Sequence, residues 1–354
     1  MGPSLRMPRL AAVLVCLLAS SAPADAIERA GELPAVSARP PAEPPGGGLE
    51  AFLAEVRAEA LARGISQATL DTSLVGIVDR PQVIEADRSQ PSAPGDFCAY
   101  LSRRLTPTRI ARGKRLLDEN AALLVDITAS YGVPARYVVA LWGLETNFGD
   151  YVGDHPLFDT LVTLARDPRR GDFFREQIFA ALQMVEDGHH PAEGLEGSWA
   201  GATGQVQFMP TTYLTYAVDH DGDGRKDIWG SVPDALASAA HLLKRSGWRS
   251  GESWGRQVAL PSTLHDQARS LRSRSRSLEG WSSLGVRRSD GAALPEANLA
   301  ARLVLPVRRA EPAFLVYPNY HVFMDWNRST FFAISVGTLA DEITDRSTLH
   351  ACRG

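Results

Sequence analysis

The stretch YGVPARYVVALWGLETNFG, residues 131–149, decides the fold. Pro134 stands where a helix tolerates proline, in its first turn, and Gly149 marks an end, so the run between them reads as a helix. Val138, Leu141 and Trp142 lie seven, four and three positions before Glu145 and share its face. A single carboxylate therefore emerges from an apolar wall just before a loop. Partial desolvation and the negative end of the helix both disfavour its ionised form, so both raise its pKa. A general acid working near neutral pH requires that shift. On this helix alone an ion pair with an arginine such as Arg136 or Arg166 is the better reading.

Two stretches downstream change the balance. GSWAGATGQVQFMPTTY, residues 197–213, sets glycines, glutamines and hydroxyl groups among Trp199, Phe208 and Tyr213. That mixture suits a groove that takes a sugar chain, although an elaborate structural turn explains it equally well. DHDGDGRKDIW follows at once, with Asp219, Asp221 and Asp223 alternating and Gly224 in sixth place. Oxygen ligands at positions one, three and five, with the Arg225 carbonyl at seven, match the opening of an EF-hand loop, so a structural Ca²⁺ is expected. Position twelve is Gly230 where a bidentate glutamate belongs, so Asp234, or Asp227 through water, has to complete the shell. Zinc is not expected, because the eight histidines show no paired ligand spacing and no HExxH occurs.

Further out, the apolar spacing in LEAFLAEVRAEALARGIS, RIARGKRLLDENAALLVDITASYG, DFFREQIFAALQMVEDG and PDALASAAHLLKRSG marks more helices. The chain divides into a leader at 1–26, a Pro/Gly-rich tether at 27–48 and an N-terminal helical region at 49–130. A helical core at 131–255, a small mixed or β-rich insert at 256–310 and a C-terminal strand and helix at 311–354 follow. AFLVYPNYHVFMDW reads as strand, and STFFAISVGTLADEI as a helix with Ser329 as its N-cap. The fold class is α+β, mainly α.

The leader carries Arg6 and Arg9, a short apolar run and a small-residue end, the order of a secretory signal, and is too short to span a bilayer. Lipidation of Cys16 is disfavoured by the bulky Val15. Export leaves Cys98 and Cys352, whose pairing spacing alone does not decide. A net charge of -4 gives no general attraction to nucleic acid or anionic membrane, and the short RSRSRS run reads as a solvated face.

YGVPARYVVALWGLETNFG, GSWAGATGQVQFMPTTYLTYAVDHDGDGRKDIW and YPNYHVFMDWNRST together resemble the ordered motifs of the lytic murein transglycosylase B family, over about residues 130–345. The resemblance implies a periplasmic enzyme with a lysozyme-like core. Such an enzyme cleaves the β-1,4 bond between N-acetylmuramic acid and N-acetylglucosamine in peptidoglycan strands, leaving a 1,6-anhydromuramoyl end. It implies Glu145 as the single acid/base, Ser198, Gln207 and Tyr213 on the substrate groove, and Asn327 and Ser329 in the last motif. The aspartates of DHDGDG match the family's calcium loop. Trp326 stands where tyrosine is common in the family, so a stacking contact with substrate replaces a hydroxyl contact. Cell-wall synthesis or division proteins are the class of partner such an enzyme would meet, and no motif selects one.

Glycosidases usually need two carboxyl groups. Asp150 and Asp154 are the nearest others, and a hydrolytic muramidase using either as base is the closest rival. A non-catalytic peptidoglycan-binding scaffold and a calcium-dependent structural module are the readings from other classes.

Overall fold

The computed structural model describes residues 48–89, 95–271, 274–307, 312–346 and 352. The leader at 1–26 and all but the last glycine of the tether lie outside them.

Helices Leu49–Ala62, Gln67–Ser73, Pro81–Arg88, Phe97–Arg104, Pro107–Glu119 and Ala121–Tyr131 form the N-terminal region. Their starts are written locally. Ser66, Asp96 and Thr106 each accept from the backbone N–H three residues on, and Pro107 occupies a first-turn position that needs no donor.

The central helix, Ala135–Thr146, is buried continuously from Tyr137 to Leu144. Such a helix cannot lie on a surface. It packs against Pro107–Glu119, Ala121–Tyr131, Val232–Arg245 and Thr330–Glu342, and Leu157–Ala165 and Gly171–Glu186 add their apolar faces to the same core. Ser329 caps the last of these by accepting from the Phe332 N–H, as its sequence position predicts.

Seven short strands are present among the described residues. β1 (His155–Pro156) pairs with β2 (Glu196–Gly197) beside the central helix. β3 (Gly255–Ala259), β4 (Ser275–Ser277), β5 (Arg287–Arg288), β6 (Ala300–Val304) and β7 (Ala313–Val316) make an antiparallel sheet of order β4-β6-β7-β3-β5. β7 is buried on both faces. Phe314 and Val316 enter the helical core, whereas Ala313 and Leu315 face the sheet's own cluster around Val258, Trp281 and Leu303. Period-two alternation thus joins two cores through one strand.

Two sequence expectations need correction. In AFLVYPNYHVFMDW only Ala313–Val316 is strand, and Pro318 opens a helix, Pro318–Trp326. Aromatic alternation matched a strand, but proline at a helix start has the backbone angle already set. The 256–310 segment is also not self-contained, because its central strand β7 comes from the C-terminal segment and β3 begins at Gly255.

Of RSRSRS, residues 272–273 lie outside the described set, and Ser275–Ser277 form the edge strand β4 paired with β6. Charged side chains on an edge discourage pairing with other chains. Cys98 and Cys352 form a disulfide with Cα atoms 4.9 Å apart, tying the C-terminal tail to the Phe97–Arg104 helix.

Candidate active site

The helix carrying Glu145 ends abruptly. Asn147, Phe148 and Gly149 take φ values of 53°, 63° and 86°, three successive left-handed residues, two of them not glycine. Each non-glycine residue there costs about 1–3 kcal/mol, which surrounding contacts have to offset. The Phe148 and Tyr151 N–H groups donate to the carbonyls of Trp142 and Thr146, and Gly149 N–H donates to Thr146 Oγ1 at 2.9 Å. Arg109 Nε donates to Asn147 Oδ1 at 3.3 Å. The Phe148 ring folds back edge-on to Trp142, over Gly143, where a Cβ would sit 2.6 Å from its Cζ.

Glu145 is half-buried, so its carboxyl stays reachable although protein atoms surround it closely. Burial pushes its pKa up from 4.5 to about 8, against the indole N–H of Trp326 and the more distant charge of Arg104, which both pull it down. The Trp326 Nε1–H donates to Glu145 Oε1 at 2.8 Å. Neither arginine of the ion-pair reading reaches it. Arg166 binds Asp79, and Arg136 donates to Tyr137 Oη and lies over that ring. At neutral pH the group therefore holds its proton and has one donor to steady the carboxylate that forms when the proton leaves.

The neighbouring carboxylates are differently placed. Asp150 is ion-paired with Arg112 and accepts from Asn147 Nδ2 at 2.8 Å, and the Arg112 contact holds its carboxyl below the usual range. Asp154 is 96% exposed in its side chain, with His155 Nε2 3.7 Å away.

Residues 198–208 form a compact set of turns beside the end of the central helix, and a helix, Pro210–Tyr216, follows. Thr146 Oγ1 donates to the Gln205 carbonyl at 2.7 Å, and Trp142 Nε1 donates to Gln205 Oε1 at 3.0 Å. Gln205 Nε2 in turn donates to the Trp229 carbonyl. Gly153 is demanded by the protein's own backbone, since a Cβ there would lie 2.1 Å from the Gly197 carbonyl.

Several predicted groove residues are occupied within this framework. Tyr213 is fully buried and its hydroxyl donates to the Lys226 carbonyl at 2.7 Å, so it supports the acidic loop and does not face a ligand. Ser198 is 2% exposed, and its Oγ accepts from the Ala202 N–H inside the turn. Trp326 is 3% exposed, packed on Phe208 and bound to Glu145, so stacking on substrate gives way to positioning the carboxyl. Asn327 and Ser329 shape the bend that brings Trp326 there: Asn327 Oδ1 accepts from the Ser329 N–H, and Ser329 Oγ from Phe332. Gln207 differs. Its Nε2 donates to the Val152 and Gly204 carbonyls, while its buried Oε1 has no partner among the described residues.

Gln205, Thr146 and Arg104, whose guanidinium donates to the Leu144 carbonyl, were not singled out by sequence reasoning. No local pattern marks them, because their contacts join distant segments.

In the acidic loop, one carboxylate oxygen from each of Asp219, Asp221 and Asp223 lies within 4.8 Å of the others, all exposed. Hard oxygens in this arrangement fit a hard divalent cation. Asp234 plays another part than expected. It is fully buried, Oδ1 accepts from the His220 and Asp221 N–H groups, and Oδ2 accepts from Asp227 at 2.8 Å. It braces the loop from behind. Gly230 leaves space for Asp227, whose Oδ1 accepts from the Trp229 and Gly230 N–H groups.

The family profile described as "Transglycosylase SLT domain" matches residues 48–341. The membrane-bound lytic murein transglycosylase B of Escherichia coli K12 is 30% identical over 286 residues, covering 79% of this chain and 76% of that protein. SltB3 of Pseudomonas aeruginosa, solved with NAG-anhNAM-pentapeptide, is 42% identical with a TM-score of 0.80, covering 84% of this chain and 80% of that one. The Escherichia coli lytic transglycosylase Slt35, solved with calcium, is 25% identical with a TM-score of 0.70, covering 84% of this chain and 93% of that one.

Proposed function

Because this chain belongs to the transglycosylase SLT family and is a peptidoglycan lytic transglycosylase, we propose that Glu145 alone performs its acid and base chemistry. The observation that carries this is a reachable carboxyl held protonated by burial, with one indole donor, while Asp150 is committed to Arg112.

Protonated Glu145 gives its proton to the glycosidic oxygen as the bond from the muramic anomeric carbon breaks, and the substrate's N-acetyl oxygen stabilises the positive charge at that carbon. The Trp326 N–H steadies the resulting carboxylate. Glu145 then takes the proton of the muramic C6 hydroxyl as its oxygen bonds to the anomeric carbon. The 1,6-anhydro ring closes, Glu145 is protonated again, and no water is consumed. An intramolecular hydroxyl has an effective molarity that water in a crowded cleft does not match. Gln207 backs the substrate wall, its Nε2 holding the Val152 and Gly204 carbonyls while its buried Oε1 is left without a partner among the described residues.

Asp219, Asp221 and Asp223, joined by the Arg225 carbonyl as the loop pattern implies, would hold Ca²⁺, which would fix the loop that Asp234 braces and Tyr213 anchors. The protein works outside the cytoplasm, in the periplasm, exported by residues 1–26. Its substrate and the Cys98–Cys352 disulfide favour that location, and no helix among the described residues is long and apolar enough to cross a membrane.

Purified protein and its Glu145→Gln variant, incubated with murein sacculi, test the assignment. Anhydro-ended muropeptides from the wild type only are expected. Equal release by the variant would remove Glu145 from the chemistry.

A further inference from the structure

A cavity of ≈500 Å³ opens where the start of the central helix meets the sheet, lined among others by Arg136, Arg256, Arg288, Arg346, Glu252 and Asp341. Arg136 and Glu145 are nine positions apart on the central helix, about 14 Å of rise, so the two sites sit toward opposite ends of one helix. Three features set the cavity apart from an ordinary charged surface. Even with Asp290 counted, which pairs with Arg288 at 2.7 Å, four guanidinium groups outnumber three carboxyl groups. The helix end there has no side-chain cap, and its dipole favours an anion. Most directly, three of its lining residues each hold a buried polar atom, Arg136 Nε, Arg288 Nε and Glu252 Oε2, that lacks any hydrogen-bond partner among the described residues.

Unmet buried donors and acceptors cost about 1–3 kcal/mol each, so a cluster of them points to a ligand that completes it. The orphan set defines that ligand. Two guanidinium N–H donors want an anion, and the planar fork of arginine fits a carboxylate in two-point contact. The orphan Glu252 oxygen wants a donor, which a peptide N–H supplies without adding negative charge. Glu252 and Asp341 would also repel a multiply charged phosphate. Sugar hydroxyls would leave the excess positive charge unanswered. A peptide end offers both a carboxylate and an amide or ammonium N–H.

We propose that this cavity is a second binding site, taking the carboxylate end of a peptidoglycan stem peptide, at the far end of the helix that carries Glu145. The proposal rests on the peptidoglycan reading above. It gives the sheet a role: β3 and β5 supply Arg256 and Arg288, and the central helix supplies Arg136.

Calorimetric titration of the full-length protein with a synthetic stem pentapeptide, free of sugar, tests it. Binding is expected to weaken about tenfold or more when the peptide's terminal carboxylate is amidated, and likewise in Arg288→Gln and Arg136→Gln, since a charge-assisted bond contributes about that factor. Arg288→Gln is the safer variant, because its side chain is 37% exposed, and an unchanged melting temperature certifies its fold. Absence of peptide binding, binding indifferent to amidation or to both substitutions, or displacement of the peptide by equimolar inorganic phosphate would overturn the proposal. Turnover of sacculi by the same wild-type sample, read in parallel, separates these failures from failure of the enzymatic assignment.

Discussion

Replacing Trp326 by phenylalanine removes one hydrogen bond and leaves the packing on Phe208 nearly intact, so it isolates what the indole N–H does for Glu145. The bond to an ionised carboxylate is worth about 1.5–3 kcal/mol, and the bond to the neutral acid about 0.5–1.5 kcal/mol. The difference, about 1–1.5 kcal/mol, favours the charged form and corresponds to about one pKa unit. Trp326 therefore holds Glu145 down, and its loss should carry the carboxyl from about 8 to higher pH. Activity depends on the protonated acid, so it declines as pH rises through that value. In Trp326→Phe the alkaline limb of the kcat profile should move up by about one pH unit. The rate on the plateau should fall about tenfold, because the carboxylate formed during bond cleavage loses its donor. Initial rates of anhydro-muropeptide release from sacculi across a pH series measure both. An alkaline limb that stays in place or moves down would refute the reasoning, whatever happened to the plateau.

Gly143→Ala should lower the melting temperature and kcat together, since a Cβ there meets the Phe148 ring at 2.6 Å and overpacking costs about 1–3 kcal/mol; differential scanning calorimetry and turnover check it. Glu145→Gln should stabilise the fold more as pH rises: a carboxyl raised from 4.5 to about 8 keeps the protein fully stabilised below 4.5 and loses that stability as pH climbs to about 8. At about 1.4 kcal/mol per pH unit the window holds at most about 5 kcal/mol, less what solvent in the cleft screens, and melting curves of both proteins at either end of it report the difference. Chelation should lower the melting temperature of the wild type, and Asp219→Ala should abolish both that response and the recovery on adding Ca²⁺.

The sequence carried the longer helices well because their apolar faces repeat at the helical period, and Ser329 marks a start through a local bond. It misdirected at Pro318, where alternating aromatics served a strand and then a helix whose inner face is equally apolar. The apolar setting of Glu145 was legible in its own helix, which alone favoured an ion pair, and the downstream motifs made it the candidate acid/base. Its indole donor was not legible, because Trp326 lies 181 positions away and only the fold brings them together. Tyr213 and Asp234 show the same limit from the other side. Residue type placed them with a ligand, but whether a hydroxyl or carboxylate faces outward depends on which backbone groups the fold leaves unmet, and here Lys226, His220 and Asp227 claim them.

Digestion of sacculi in water enriched in heavy oxygen, with mass spectrometry of the released muramic ends, tests the central claim most directly. Ring closure through Glu145 predicts products one water lighter than hydrolysed ones and free of the heavy isotope. Full-mass products carrying heavy oxygen at the new reducing end would contradict it and give water, with a second carboxylate, the role assigned here to the C6 hydroxyl.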